Sequence, residues 1–162
     1  MNSPVLRSPS VERVRNALRS AGLAAEIVEL PGAARTAKAA AAFLGCEVAQ
    51  IANSLVFRGE PSGMPILVMS SGAKRVDTSR LGAIAGSSIG KADADYVRLH
   101  TGFAIGGVAP VGHPGLLRRY VEKSLSVHEA IWAAAGHPHT VFRLTYADLV
   151  RITNGMEIEV AT

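Results

Sequence analysis

Apolar residues recur at two periods along the chain, and glycine or proline closes most of the runs. Val11, Val14, Leu18 and Ala21 lie three or four apart behind Ser8-Pro9, which predicts a capped helix closed by Gly22. Residues 25–30 read as a short strand ended by Pro31-Gly32. Thr36 caps an alanine-rich helix that stops at Gly45, and a turn over 47–52 leads into an apolar strand over 54–57. Turn formers at 59–63 and the apolar run 66–69 predict the returning strand of a hairpin. Asp77 opens a helix closed by Gly86, and Ala92 or Asp93 opens another closed by Gly102. Residues 117–121 predict a strand. Ser126 with Glu129 has the capping-box spacing and predicts a helix running to Gly136. Residues 140–144 are strand-like, Thr145 starts a last short helix, and Met156, Ile158 and Val160 alternate with glutamates as an edge strand does.

Residues 1–9 are expected to form a flexible tail and 10–162 one domain, with no repeat and no linker. Short helices interleaved with hairpin-connected strands predict a mixed α+β sheet, not a doubly wound parallel one. Hydrophobic residues make up 48% of the chain against 19% charged, so it is globular. Aromatics are 5%, too few for a base-stacking platform. The net charge of +4 favours polyanionic partners, with Arg13, Arg15, Arg19, Arg35, Arg75, Arg118 and Arg119 as candidate phosphate contacts. A lone cysteine, Cys46, excludes an internal disulfide and fits a reducing cytoplasm. No apolar run is long enough to span a membrane, and the first ten residues lack the apolar core of a signal peptide.

One segment stands apart. Residues 101–113, TGFAIGGVAPVGH, hold four glycines and a proline yet keep Phe103, Ile105, Val108 and Val111 apolar. Gly106-Gly107 removes two side chains in a row, so a ligand can approach bare backbone. Pro110 fixes the chain beyond them. The competing reading is a strand bent at a Gly-Gly bulge.

The usual catalytic signatures are weak. Gly86-Ser87-Ser88-Ile89-Gly90 fits the nucleophile-elbow string, but a predicted helix precedes it where that motif needs a strand. Cys46 sits at a helix C-terminus, where the dipole opposes thiolate formation. His113, His137 and His139 could be assembled into a zinc site, but no cysteine pair, HExxH string or clustered third ligand accompanies the 137/139 pair. Asp93 and Asp95 are better explained by helix capping.

Three blocks together carry a family likeness: residues 36–57 (TAKAAAAFLGCEVAQIANSLVF), 70–77 (SSGAKRVD) and 90–113 (GKADADYVRLHTGFAIGGVAPVGH). They resemble the YbaK family of aminoacyl-tRNA editing domains, also called prolyl-tRNA synthetase-associated or INS-like. The resemblance covers about residues 10–160. It implies a single α/β domain with a mixed, partly barrel-like sheet surrounded by short helices. It also implies hydrolysis, in trans, of the ester joining a wrong small amino acid to tRNA(Pro), with no metal or organic cofactor. The partner would be the acceptor end of aminoacyl-tRNA. Gly106 and Gly107 would hold the reacting group through backbone, with Ile105, Val108, Pro110, Ser54 and His139 as substrate-binding residues and Met69 as a further wall. Selection against proline would be steric.

The sequence departs from the family pattern at one functional position. Family members carry lysine where this chain reads Ile51-Ala52-Asn53-Ser54-Leu55, so Asn53 replaces the amine. Lys74 stands where relatives often have asparagine. The hypothesis is that Lys74 supplies the cation from across the pocket; the alternative is that it points to solvent. Two functions follow: a free-standing deacylase using Asn53, Lys74, Gly106 and Gly107, or a lapsed tRNA- or nucleotide-binding module. A metal-dependent hydrolase on the three histidines is a third.

Overall fold

The computed structural model of the chain describes residues 3–32, 34 and 36–162. Helix α1, Pro9–Ser20, begins as its sequence predicts: Ser8 accepts from the Val11 amide, and Pro9 opens the first turn. Val11, Val14 and Leu18 form its buried stripe. The tail boundary at residue 9 therefore falls inside a helix. Residues 3–8 form turns against it, with Arg15 donating to the Leu6 carbonyl at 3.0 Å.

Strand β1, Ile27–Glu29, is followed by α2, Ala37–Leu44, capped by Thr36 and closed by left-handed Gly45. Strands β2, Ile51–Glu60, and β3, Pro65–Ser71, form the predicted antiparallel hairpin, longer than the apolar runs at both ends. Helices α3, Thr78–Ala85, and α4, Ala94–Thr101, take Asp77 and Asp93 as caps and end on Gly86 and Gly102. Between them lies β4, Ser88–Lys91, a strand that the polar, glycine-containing sequence hides. Its order is helix, turn, strand, the reverse of a nucleophile elbow. Residues 102–117 contain no regular element, so the glycine segment is a loop and not a bent strand.

The predicted helix from the Ser126 capping box to Gly136 does not form. Lys123–Val127 is a 3-10 turn and Ile131–Ala134 is strand β6. Ile131 and Ala133 are buried while Trp132 and Ala134 are half-buried, a period of two that suits the slot between two strands. Strands β5, Arg118–Glu122, β7, Thr140–Leu144, and β8, Met156–Ile158, with helix α5, Tyr146–Thr153, agree with the sequence reading.

The architecture is a mixed α/β domain: among the described residues, five α-helices surround one eight-stranded sheet of order β1-β7-β6-β2-β3-β5-β8, with β4 also on β2. Pairs β2–β6, β3–β5 and β5–β8 are parallel and the others antiparallel. Leu67 and Met69 of β3 face the large core with α1, while Ile66 and Val68 face a second core under α3. Glu122 is buried at the end of β5. Burial pushes its carboxyl up, but amides of Ser124, Val160 and Ala161 donate to it and outweigh that, holding it ionised.

Strand β2 is the element that shapes the site. One edge pairs continuously with β3 from Ala52 to Arg58. The other edge meets β6 only at Ile51 and Ala52, and β4 only from Phe57 to Glu60. Among the described residues, no strand pairs with 53–56 on that side. The Gly59 amide donates to Met64 across the hairpin, so odd residues of β2 point their peptide groups at β3. Ser54 and Val56 then direct theirs into the gap.

Candidate active site

The gap is closed by the glycine loop. A hollow of about 200 Å³ lies between them, lined by Ser54, Leu55, Val56, Ala92, Val97, Ile105, Gly106 and Val108. A second hollow of about 370 Å³ lies against the same loop tip and is lined by Ile105, Gly106, Pro138 and His139. A larger one, about 510 Å³, sits between the end of α1 and β1 and contains none of the predicted site residues.

The two glycines have different tasks. Gly106 has φ +90°, a conformation open to glycine, and lines both hollows. Gly107 does not offer bare backbone to a ligand. Its amide donates to the Ala104 carbonyl at 2.9 Å, and a Cβ there would lie 2.8 Å from the His137 carbonyl carbon. The vacated side-chain space is filled by the 136–139 turn. Among the described residues, the amides of Gly106 and Val108 donate to no group of the chain. Gly106 is exposed at the loop tip, while Val108 is 2% exposed.

The loop is braced from behind. Arg119 donates to His113 Nδ1 from two guanidinium nitrogens, at 3.3 and 3.1 Å. A guanidinium can only donate, so Nδ1 is the acceptor and the proton sits on Nε2. Nε2–H donates to the Ala109 carbonyl at 2.8 Å. Burial, and then the Arg119 and Arg13 charges, push the His113 pKa down to about 4 against the opposing pull of the Ala109 bond. Arg13 of α1 stacks 4.5 Å over the Phe103 ring and donates to the Gly102 carbonyl. The sequence reading missed these braces; the only signal was a histidine four residues beyond Ala109.

Several predicted residues fall elsewhere. Lys74 is exposed in the turn after β3 and lines neither hollow. Asn53 is half-buried opposite Ser70, and the pleat places it with Phe57 on the face away from Ser54. Pro110 is buried and lines a separate hollow behind the loop with His113 and Arg119. Met69 is fully buried beside the site, with the Ser54 hydroxyl 3.3 Å from its sulfur, and lines neither hollow. Ser54, Ile105, Val108 and His139 do line the hollows.

His137 and His139 have ring centroids 5.5 Å apart, and His137 Nδ1 accepts from the His139 amide. Burial and the neighbouring His139 lower the His137 pKa, with Glu29 opposing. His113 has both ring nitrogens engaged, so it cannot join them as a ligand. Among the described residues no three His, Cys, Asp or Glu side chains gather as a metal site. Burial and Glu47 push the Cys46 thiol up, away from nucleophile chemistry. Arg13, Arg15, Arg118 and Arg119 donate to groups within the chain, and Arg35 lies outside the described residues.

Residues 32–152 match the family model of the aminoacyl-tRNA editing domain. The chain belongs to that family. This editing domain superposes with a TM-score of 0.90 on the crystal structure of "a putative trans-editing enzyme for prolyl tRNA synthetase", at 41% identity over 96% of this chain and 98% of the other. It is 28% identical over 124 residues to the uncharacterized protein YwhH of Bacillus subtilis (strain 168), covering 76% of this chain and 78% of YwhH. It is 25% identical over 128 residues to the "Putative Cys-tRNA(Pro)/Cys-tRNA(Cys) deacylase EbsC" of Enterococcus faecalis, covering 78% and 77%. No helix among the described residues is long and apolar enough to cross a membrane.

Proposed function

We propose that this editing domain hydrolyses, in trans, the ester between a small wrong amino acid and the terminal adenosine of tRNA(Pro), in the cytoplasm. The observation that carries the reading is that Gly106 and Val108, whose amides bond to no group of the chain, line the hollow beside the unpaired stretch of β2. An aminoacyl ester needs no activated protein nucleophile. Water attacks the carbonyl carbon, the carbonyl oxygen becomes an oxyanion, and the tetrahedral centre expels the ribose oxygen. That oxygen takes up the proton lost by the water. Fixed amides aimed at the oxyanion stabilise the transition state without reorganising; one such donor is worth about 3 kcal/mol in a buried site. The smaller hollow, with Val56, Ala92 and Val97 among its lining, receives the amino-acid side chain. The larger one, with His139 and Pro138, receives the adenosine.

Asn53 favours a second reading, in which the domain binds the aminoacyl end without hydrolysing it. One assay separates them: loss of labelled amino acid from mischarged tRNA(Pro), with wild type, Lys74→Ala and Asn53→Lys. Deacylation is expected above the spontaneous rate, and unchanged in Lys74→Ala because that side chain lines neither hollow. An inert wild type that gains activity as Asn53→Lys makes this a lapsed editor.

A further inference from the structure

We propose that Arg119 and His113 form a tautomer lock that positions the Val108 amide for the oxyanion. This rests on the deacylase reading above and adds two positioning residues to it. Neither side chain lines the two hollows at the loop tip; both line the hollow of about 470 Å³ behind the loop. They can therefore act on substrate only through the loop backbone. The Val108 amide lies between two anchors. One residue before it, the Gly107 amide donates to the Ala104 carbonyl at 2.9 Å. One residue after it, the Ala109 carbonyl accepts from His113 Nε2 at 2.8 Å. Pro110 follows and keeps Ala109 out of the helical region. Only the second anchor runs to a side chain, and only it depends on where a proton sits.

A neutral imidazole has two tautomers. The wrong one would turn the Nε2 lone pair against the Ala109 carbonyl oxygen, and that anchor would be lost. The partner at the other nitrogen excludes it. Arg119 reaches His113 Nδ1 from Nε and Nη2, at 3.3 and 3.1 Å, and a guanidinium carries donors only. A hydroxyl or carboxamide in its place could accept instead and leave the tautomer free. Arg119 is half-buried, desolvation holds its pKa below the ordinary value, and it joins none of the three ion pairs among the described residues. No acid offsets that desolvation; the bond made in return is the one to His113. The ring plane is held as well. Phe103 meets it edge-on with centroids 6.2 Å apart, and Arg13 lies 4.5 Å over the far ring.

The test separates rate from binding. Single-turnover deacylation of tRNA(Pro) carrying alanine, serine or cysteine is followed against enzyme concentration, which gives a limiting rate and a half-saturating concentration. Circular dichroism gives the folded fraction, to which each rate is normalised. His113→Leu keeps bulk and offers neither bond. His113→Asn can accept from Arg119 but is too short to span to the Ala109 carbonyl as well. His113→Gln carries an acceptor and a donor at close to the reach of the ring. Leu and Asn are expected to lower the limiting rate by about ten- to a hundredfold, with the half-saturating concentration changed by less than about twofold. Gln is expected to recover the rate to within about threefold of wild type. If His113→Leu does not fold, Asn against Gln decides. A wild-type limiting rate in Asn, a loss in Gln as large as in Asn, or a loss confined to the half-saturating concentration overturns the lock while wild-type turnover keeps the deacylase reading. No turnover by wild type on any of the three substrates overturns that reading, and the lock with it.

Discussion

His113 holds the glycine loop as a neutral imidazole, and its environment opposes taking up a second proton. Protonation at Nδ1 would set a cation against the Arg119 guanidinium and remove the acceptor it uses. The folded pKa of about 4 lies below the ordinary 6.5, so the unfolded chain binds this proton first as pH falls. The stabilisation is complete above about pH 6.5 and is lost as pH falls toward 4, by on the order of 3 kcal/mol. Urea denaturation at pH 7, 5.5 and 4.5 should show that loss in wild type and a flatter profile in His113→Asn. Equal slopes would remove His113 from the account. Sequence alone marked His113 as a stray zinc candidate, because nothing in the spacing shows that Arg119, six residues on in a separate strand, turns back to meet it. The motif order was enough to bring Ser54, Ile105 and His139 to the hollows' lining; that Lys74 and Pro110 lie outside it could not be read, because the direction of a side chain from a turn is not written in neighbouring residues.

At the scale of elements, N-capping residues announced all five α-helices among the described residues, and a glycine C-cap closes three of them, since these are local signals read within four residues. Strands β4 and β6 escaped because strand identity is conferred by partners. Residues 129–136 have a helical composition, but β2 on one side and β7 on the other supply hydrogen bonds that a helix there would forgo. The contact between the glycine loop and the β6–β7 turn makes a sharp prediction. Gly107→Ala drives a methyl into the His137–Pro138 backbone and should destabilise the domain by about 1–3 kcal/mol, seen as a lower Tm. It should also slow deacylation, by displacing Gly106 and Val108. A variant as stable and as active as wild type would mean that the turn yields freely and is no part of the site.

For the whole molecule, charge is the property that bears on a tRNA partner. The chain carries 17 Lys and Arg against 13 Asp and Glu, yet only three ion pairs form among the described residues: Arg15–Glu12, Arg58–Glu60 and Arg151–Asp148. Several arginines are committed to carbonyls within the fold, so the surplus that reaches solvent is modest and spread out. Binding of deacylated tRNA(Pro) should weaken with salt, with a log–log slope of about −2, as for two or three phosphates neutralised. A flat response would restrict recognition to the terminal nucleotide.

The missing pairing along residues 53–56 has a consequence for how such a domain can diverge. The banks of the cleft are main-chain groups of Ser54, Val56, Gly106 and Val108, and only at Gly106, with φ +90°, does the backbone itself call for one residue type. Side chains around them can be exchanged without erasing the polar surface beneath. Drift in this lineage would then retune what is accepted long before it abolishes the capacity to hold an acyl group.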